Sequence, residues 1–163
     1  DPIYLGSAIS RPTRYMAKDT LFRGPLGALI SRLGAFPVRR GDADPGAIRT
    51  AMRSLKQGDV LIMFPEGTRG QGADMLDAQK GIGFLATRTG AAVLPAYLHG
   101  MAEVFGRARG WPRPGQVEIV FGEPRQYLRD DDPSEAAVEV VRDIKLLGSS
   151  IDSLKLDRAR RVG

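Results

Sequence analysis

The sequence predicts an α/β fold, a single-domain sandwich with a largely parallel central sheet flanked by helices. Two observations carry that prediction. Apolar runs of strand length, above all Val60-Leu61-Ile62-Met63-Phe64, hold no charge and suit strands buried on both faces. Between such runs stand segments whose apolar residues recur at three- and four-residue steps, as on one face of a helix. Alternation of the two is the pattern of strands joined by crossover helices.

In chain order, Tyr15-Met16-Ala17 is expected to be a short edge strand. Pro25–Leu33 puts Leu26, Leu29, Ile30 and Leu33 on one helix face, with Pro25 suited to the first turn. Gly34 stops that helix, and Ala35–Val38 opens a brief strand. Asp44-Pro45 starts a helix to about Lys56, Asp44 as its cap and Pro45 in its first position. Gln57-Gly58-Asp59 breaks it. Val60–Phe64 is then an interior strand, Gly81–Thr89 a short helix, and Ala92–Leu98 a second interior strand of the same sheet despite Pro95. Val117–Phe121 reads as a further strand, its apolar run interrupted by Glu118. From Pro133 to Arg161, Val138, Val141, Ile144, Leu147, Ile151 and Leu154 keep helical spacing. They predict one long amphipathic helix, capped by Ser134 and bent at Gly148. Without a repeat, linker or low-complexity tract, residues 1–163 are expected to form one domain.

Composition narrows the chemistry. With no Cys, the chain has no disulfide framework, thiol nucleophile or Cys-ligated zinc, and one His cannot build a multi-histidine metal site. No apolar stretch is long enough for a membrane span. The opening Asp1-Pro2-Ile3-Tyr4 has neither an initiator Met nor the basic region of a secretory signal, and reads as a cut into a longer chain. Net charge is +5. Residues 1–70 carry 11 Lys/Arg against 6 Asp/Glu, whereas residues 71–163 carry 13 of each. The first part is therefore a candidate face for an anionic partner; a solvated basic face is the alternative.

Most of the chemistry gathers in Phe64-Pro65-Glu66-Gly67-Thr68-Arg69. A carboxylate, a hydroxyl and a guanidinium follow the most apolar strand, at the carboxyl end where open α/β sheets hold their ligands. Gly67 allows close backbone approach, and Arg69 offers a planar charged fork for two phosphate oxygens. A tight loop in which Glu66 and Arg69 pair with each other is the alternative.

This hexapeptide resembles the most recognisable block of the glycerolipid acyltransferases, in particular the bacterial 1-acylglycerol-3-phosphate acyltransferases. Gly34-Ala35-Phe36-Pro37-Val38-Arg39-Arg40 resembles that family's Gly-x-x-Phe-Ile-x-Arg block, with Pro37 in place of the usual Phe. Val93-Leu94-Pro95 resembles its fourth block, and Ala17-Lys18 its Ala-Lys pair. The resemblance extends over roughly residues 1–125 and implies a glycerol-3-phosphate acyltransferase-like fold. The first block departs from the pattern. Its His-x-x-x-x-Asp pair is met here only by Asp1, followed by Pro2, so that the His falls five positions before Asp1. Such a His takes the proton of an attacking hydroxyl while the Asp orients the ring. As written, the chain is expected to be inactive.

The resemblance further implies catalytic roles for Asp1 and Glu66, a phosphate clamp of Lys18 and Arg69 assisted by Arg40, and substrate contacts from Gly67 and Thr68. Lys18, Arg40 and Arg69 are expected to converge on one pocket near Asp1. His99, the single imidazole, is either a replacement base or a loop histidine, and only the second reading agrees with the family pattern. Lys80 is a weaker cationic candidate. Arg107, Arg109 and Arg113 around Trp111 are either a lipid-docking loop or an ordinary exposed one.

The reaction so implied transfers a fatty acyl group from acyl-coenzyme A or acyl carrier protein to the sn-2 hydroxyl of lysophosphatidic acid, giving phosphatidic acid. It needs no metal and no bound cofactor, the thioester being a co-substrate. Expected partners are the two substrates, a membrane surface and, as a candidate donor, acyl carrier protein. The expected location is peripheral, on the cytoplasmic face of the cell membrane. A non-catalytic phospholipid-binding module, or an acyltransferase for another lysophospholipid, is the alternative. Nucleic acid is not expected as a partner, since Arg158, Arg160 and Arg161 accompany no recognition motif or aromatic platform.

Overall fold

The computed structural model describes residues 2–39, 44–65, 73–104 and 115–162. The elements run α1 (Pro2–Ser7), β1 (Thr13–Lys18), a 3₁₀ turn (Asp19–Phe22), α2 (Gly24–Arg32), β2 (Ala35–Val38), α3 (Pro45–Lys56) and β3 (Val60–Ile62). After them come α4 (Ala73–Thr89), β4 (Ala96–His99), α5 (Met101–Val104), β5 (Glu118–Phe121) and α6 (Pro133–Val162). Two compact units share the chain. One draws on residues 2–92 and 126–138, the other on 93–125 and 139–163.

The first unit holds a parallel sheet of order β2-β1-β3. Here the expected edge strand is central: β1 is two residues longer at its start, one longer at its end, and paired on both sides. The shortness of its apolar run had suggested an edge, but the run is short only because Arg14 and Lys18 stand near the strand's two ends, while Tyr15 between them is buried. Burial in turn raises the pKa of the Tyr15 phenol. Parallel strands need crossovers, and α3 supplies one, carrying the chain from the end of β2 to the start of β3. Phe36, Ala47, Ala51 and Leu85 form the buried cluster under it, with Met16, Ile48, Leu61 and Met63 packed around. Ala51 is fully buried, a small residue where helix and sheet approach closely.

Gly34, at φ 93°, reverses the chain between α2 and β2. A side chain there would strike the Thr13 carbonyl, so the position requires glycine on two counts. Helix α4 is much longer than the expected Gly81–Thr89, beginning at Ala73, so that Gly81 and Gly83 lie inside it. The Pro133 carbonyl lies where a Cβ of Gly83 would be, and Thr87, fully buried, satisfies its hydroxyl on the Gly83 carbonyl at 3.0 Å. Gln126 closes the same unit by donating to the Gly90 carbonyl at 3.0 Å.

β3 is shorter than the run Val60–Phe64; among the described residues it pairs with β1 alone. The expectation that it shares an interior sheet with Ala92–Leu98 is corrected by β4. That strand covers only Ala96–His99 and pairs antiparallel with β5 in a separate two-stranded sheet of the second unit. Pro95 explains the shortening, because it has no N–H to donate to a ladder. Its carbonyl instead accepts Gly122 N–H at 2.9 Å, and Val93 exchanges backbone bonds with Arg125. The Arg125 side chain holds the Asp143 carboxylate through Nε and, at 3.2 Å, through Nη2.

Helix α6 runs unbroken from Pro133 to Val162, through Gly148. Gly148 is where the Tyr97 ring lies against the helix, in space a side chain would fill. The cap is Asp132 rather than Ser134: its Oδ1 accepts from Ser134 N–H at 2.6 Å and Glu135 N–H at 3.3 Å. Among the described residues no helix is long and apolar enough to cross a membrane.

Candidate functional site

Because β1, β2 and β3 are parallel, their carboxyl ends share one edge of the sheet. Lys18 is the last residue of β1 and exposed, in register with Val38, the last residue of β2. From Val38 the chain passes through Arg39 into Arg40, and from Ile62 through Met63, Phe64 and the buried Pro65 into Glu66. The carboxyl ends of β1, β2 and β3 thus form the kind of edge where α/β sheets take their ligands. Asp1, Arg40, Glu66, Gly67, Thr68 and Arg69 lie outside the described residues, as do Arg107, Arg109, Trp111 and Arg113. Of the expected phosphate clamp, Lys18 alone has a described place.

Asp44 organises this edge, a role the sequence indicated only as a helix cap. Oδ1 accepts from Gly46 N–H at 3.0 Å and Ala47 N–H at 3.1 Å, two of the unpaired donors of the first turn of α3. Oδ2 reaches back to Arg39 N–H at 3.0 Å. One carboxylate therefore joins the Arg39 N–H after β2 to the first turn of α3. The Arg39 N–H foremost, then that of Ala47, hold the carboxyl below its ordinary range by bonding its charged form.

The opposite edge uses its cations structurally. Arg14 Nε meets Asp59 Oδ2 at 3.0 Å, tying β1 to the residue before β3, and Arg11 donates to the Gly58 carbonyl. Part of the basic excess of residues 1–70 is thus spent on sheet assembly. Arg49, Arg53 and Lys56, which composition alone did not single out, line an open depression of about 400 Å³ with Met52 and Gln57. They stand on the later turns of α3, where the chain has returned toward the start of β3. Lys80 is an exposed residue of α4.

His99 ends β4 opposite Glu118, half-buried, in the unit that does not contain the parallel sheet. Among the described residues no three His, Cys, Asp or Glu side chains are grouped to hold a metal ion.

Comparison with known proteins bears on the same residues. The acyltransferase family profile matches residues 1–99, from Asp1 through β4. The 1-acyl-sn-glycerol-3-phosphate acyltransferase of Bacillus subtilis (strain 168) is 31% identical over 129 residues, 76% of this chain and 60% of the relative. The enzyme of that name from Streptococcus pneumoniae (strain ATCC BAA-255 / R6) is 30% identical over 76% of this chain and 45% of its own. The crystal structure of the 1-acyl-sn-glycerophosphate (LPA) acyltransferase PlsC from Thermotoga maritima superposes with a TM-score of 0.66 and 26% identity. It aligns with 88% of this chain and 57% of its own. The chain spans about half to three fifths of the length of these relatives. A profile match over more than half the residues, running through the Ala-Lys pair, the Gly34–Arg40 block and the hexapeptide after β3, makes this chain a member of the acyltransferase family.

Proposed function

We propose that this chain is the transfer domain of a 1-acylglycerol-3-phosphate acyltransferase. It moves a fatty acyl group from acyl-coenzyme A or acyl carrier protein to the sn-2 hydroxyl of lysophosphatidic acid, forming phosphatidic acid. The observation that carries the reading is Phe64–Arg69 in the sequence one residue after β3, in a family member whose matched relatives bear that enzyme's name.

The acceptor's phosphate is a dianion and calls for several charge-assisted bonds. Lys18 and Arg69, assisted by Arg40, supply that charge, and Lys18 stands at the carboxyl end of β1. Glu66, Gly67 and Thr68 then meet the glycerol end. In the family pattern an imidazole five residues before Asp1 removes the sn-2 hydroxyl proton, and Asp1 orients that ring. The oxygen attacks the thioester carbonyl, donors in the cleft hold the tetrahedral oxyanion, and the thiolate leaves with the proton from the imidazolium. Atoms balance without a metal or a resident cofactor. The apolar acyl chains of both substrates favour a peripheral enzyme working at a membrane surface, on its cytoplasmic face.

Incubating the full-length gene product with radiolabelled acyl-coenzyme A, or acyl carrier protein, and lysophosphatidic acid tests this directly. Labelled phosphatidic acid is the expected product. Tight binding of lysophosphatidic acid with no transfer from either donor overturns the enzyme reading in favour of a phospholipid-binding module. Transfer only to another lysolipid overturns the acceptor assignment.

A further inference from the structure

Helix α2 leaves most of its apolar stripe uncovered, Ile30 alone being half-buried. Its apolar stripe should face the core, yet Leu26 is 52% exposed, Leu29 55% and Leu33 46%, with Leu21 of the preceding 3₁₀ turn 45% exposed. The helix is seated instead through Gly27, its buried residue, whose missing side chain lets the Phe22 backbone lie directly against it. A glycine seat leaves the larger residues pointing to solvent. Leu26, Leu29 and Leu33 stand at i, i+3 and i+7, so they form one continuous apolar ridge rather than scattered exposures. Patches of this kind on a soluble surface mark an interaction site.

Charge identifies the partner. From Thr20 to Gly41 the chain has no Asp or Glu and four Arg, of which Arg23 and Arg32 are exposed at the two ends of α2. An apolar ridge with cations at its borders fits a surface that is greasy within and anionic at its rim. A second copy of the same ridge fits poorly, because it would bring like charges together around the contact.

We propose that the α2 ridge docks this protein on an anionic lipid bilayer, its leucines inserting among acyl chains while Arg23 and Arg32 meet headgroup phosphates. The proposal deepens the acyltransferase reading by giving a surface to the membrane on which that reading relies. It is nonetheless tested without any acyl transfer.

The 163-residue chain is sedimented with sucrose-loaded vesicles of phosphatidylcholine, alone or with 30% phosphatidylglycerol, a proportion of about one-third chosen so that each Arg meets several anionic headgroups. The chain should pellet with the anionic vesicles, less so as salt rises. Leu26→Ser/Leu29→Ser should lower the bound fraction about tenfold at unchanged circular dichroism and Tm. Arg23→Gln/Arg32→Gln should lower it and flatten its salt dependence. Since the chain has no cysteine, Leu29→Cys accepts a single environment-sensitive dye, whose emission should shift to the blue on anionic vesicles. Wild-type pelleting by the double serine variant, or no dye shift, overturns the proposal. So does leucine-dependent dimerisation in sedimentation velocity without vesicle binding. Vesicle binding by a chain whose full-length form transfers no acyl group overturns the acyltransferase reading alone.

Discussion

Asp44 accepts the main-chain N–H of Arg39 at 3.0 Å while capping the helix that begins at Pro45. Two functions in one carboxylate make both sets of bonds depend on its charge. Because these bonds lower the folded-state pKa, the stability they contribute is present above the unfolded value of about 3.8 and is lost as pH falls through the folded one. Asp44→Asn keeps a capping oxygen but has no charge to titrate. Thermal unfolding followed from pH 6 to pH 3, a range of about two units above to one below the unfolded Asp pKa, should show a smaller acid loss in Asp44→Asn than in wild type. Equal slopes would remove this role from Asp44.

Gly83→Ala reverses the usual sign of a helix substitution. Alanine in place of an interior helix glycine ordinarily stabilises by about 1 kcal/mol. Here the new methyl meets the Pro133 carbonyl, backbone that cannot yield without moving α6 from α4. A net loss on the order of 1–3 kcal/mol is expected from urea unfolding. A gain in stability would show that α4 and residues 126–138 are packed less closely.

Arg69→Ala should weaken acceptor use by roughly 10- to 150-fold in kcat/KM, the equivalent of about 1.5–3 kcal/mol for a lost charged bidentate contact. Lys18→Ala, at an exposed strand end, should raise the acceptor KM at unchanged Tm. His99→Ala should leave transfer intact, and its abolition would make His99 the base. Steady-state kinetics on the full-length gene product separate the three outcomes.

Arg125 and Asp143 form a forked pair that is only part-buried, the Arg side chain being 39% exposed. Solvent screening limits its worth, so a double-mutant cycle of Arg125→Ala and Asp143→Ala should give a coupling of about 0.5–1 kcal/mol. Zero coupling would mean that the backbone bonds between Val93 and Arg125 hold this region unaided.

The sequence made legible what depends on neighbours in the chain. Asp44-Pro45 announces α3 because cap and first-turn proline act locally, and Val60–Ile62 announces a strand by its lack of charge. It misled wherever a distant partner decides. Even a near neighbour can decide: Ser134 looked like a cap, but the helix starts earlier and Asp132 accepts the N–H groups of Ser134 and Glu135. Spacing put Leu26, Leu29 and Leu33 on one face correctly, yet spacing carries no information on whether that face is covered. Likewise Val93-Leu94-Pro95 reads as strand, and only the partner available to its backbone, Arg125, shows where the ladder breaks. As for the candidate site, Lys18 was placed by motif and its strand-end position follows from the sheet, whereas the double duty of Asp44 needed the fold.

The division of the chain between its two units has a consequence for synthesis on the ribosome. Residues 2–92 emerge ahead of the rest, carrying the described parallel strands and α4, but residues 126–138, which bring Pro133 onto Gly83 and Gln126 onto Gly90, wait behind residues 93–125. At about 5–20 residues per second that delay is roughly 2–7 s. For those seconds the nascent chain holds β1, β2 and β3 with α4 packed on one side through Leu85 but bare at Gly83, the interval in which a chaperone would find it.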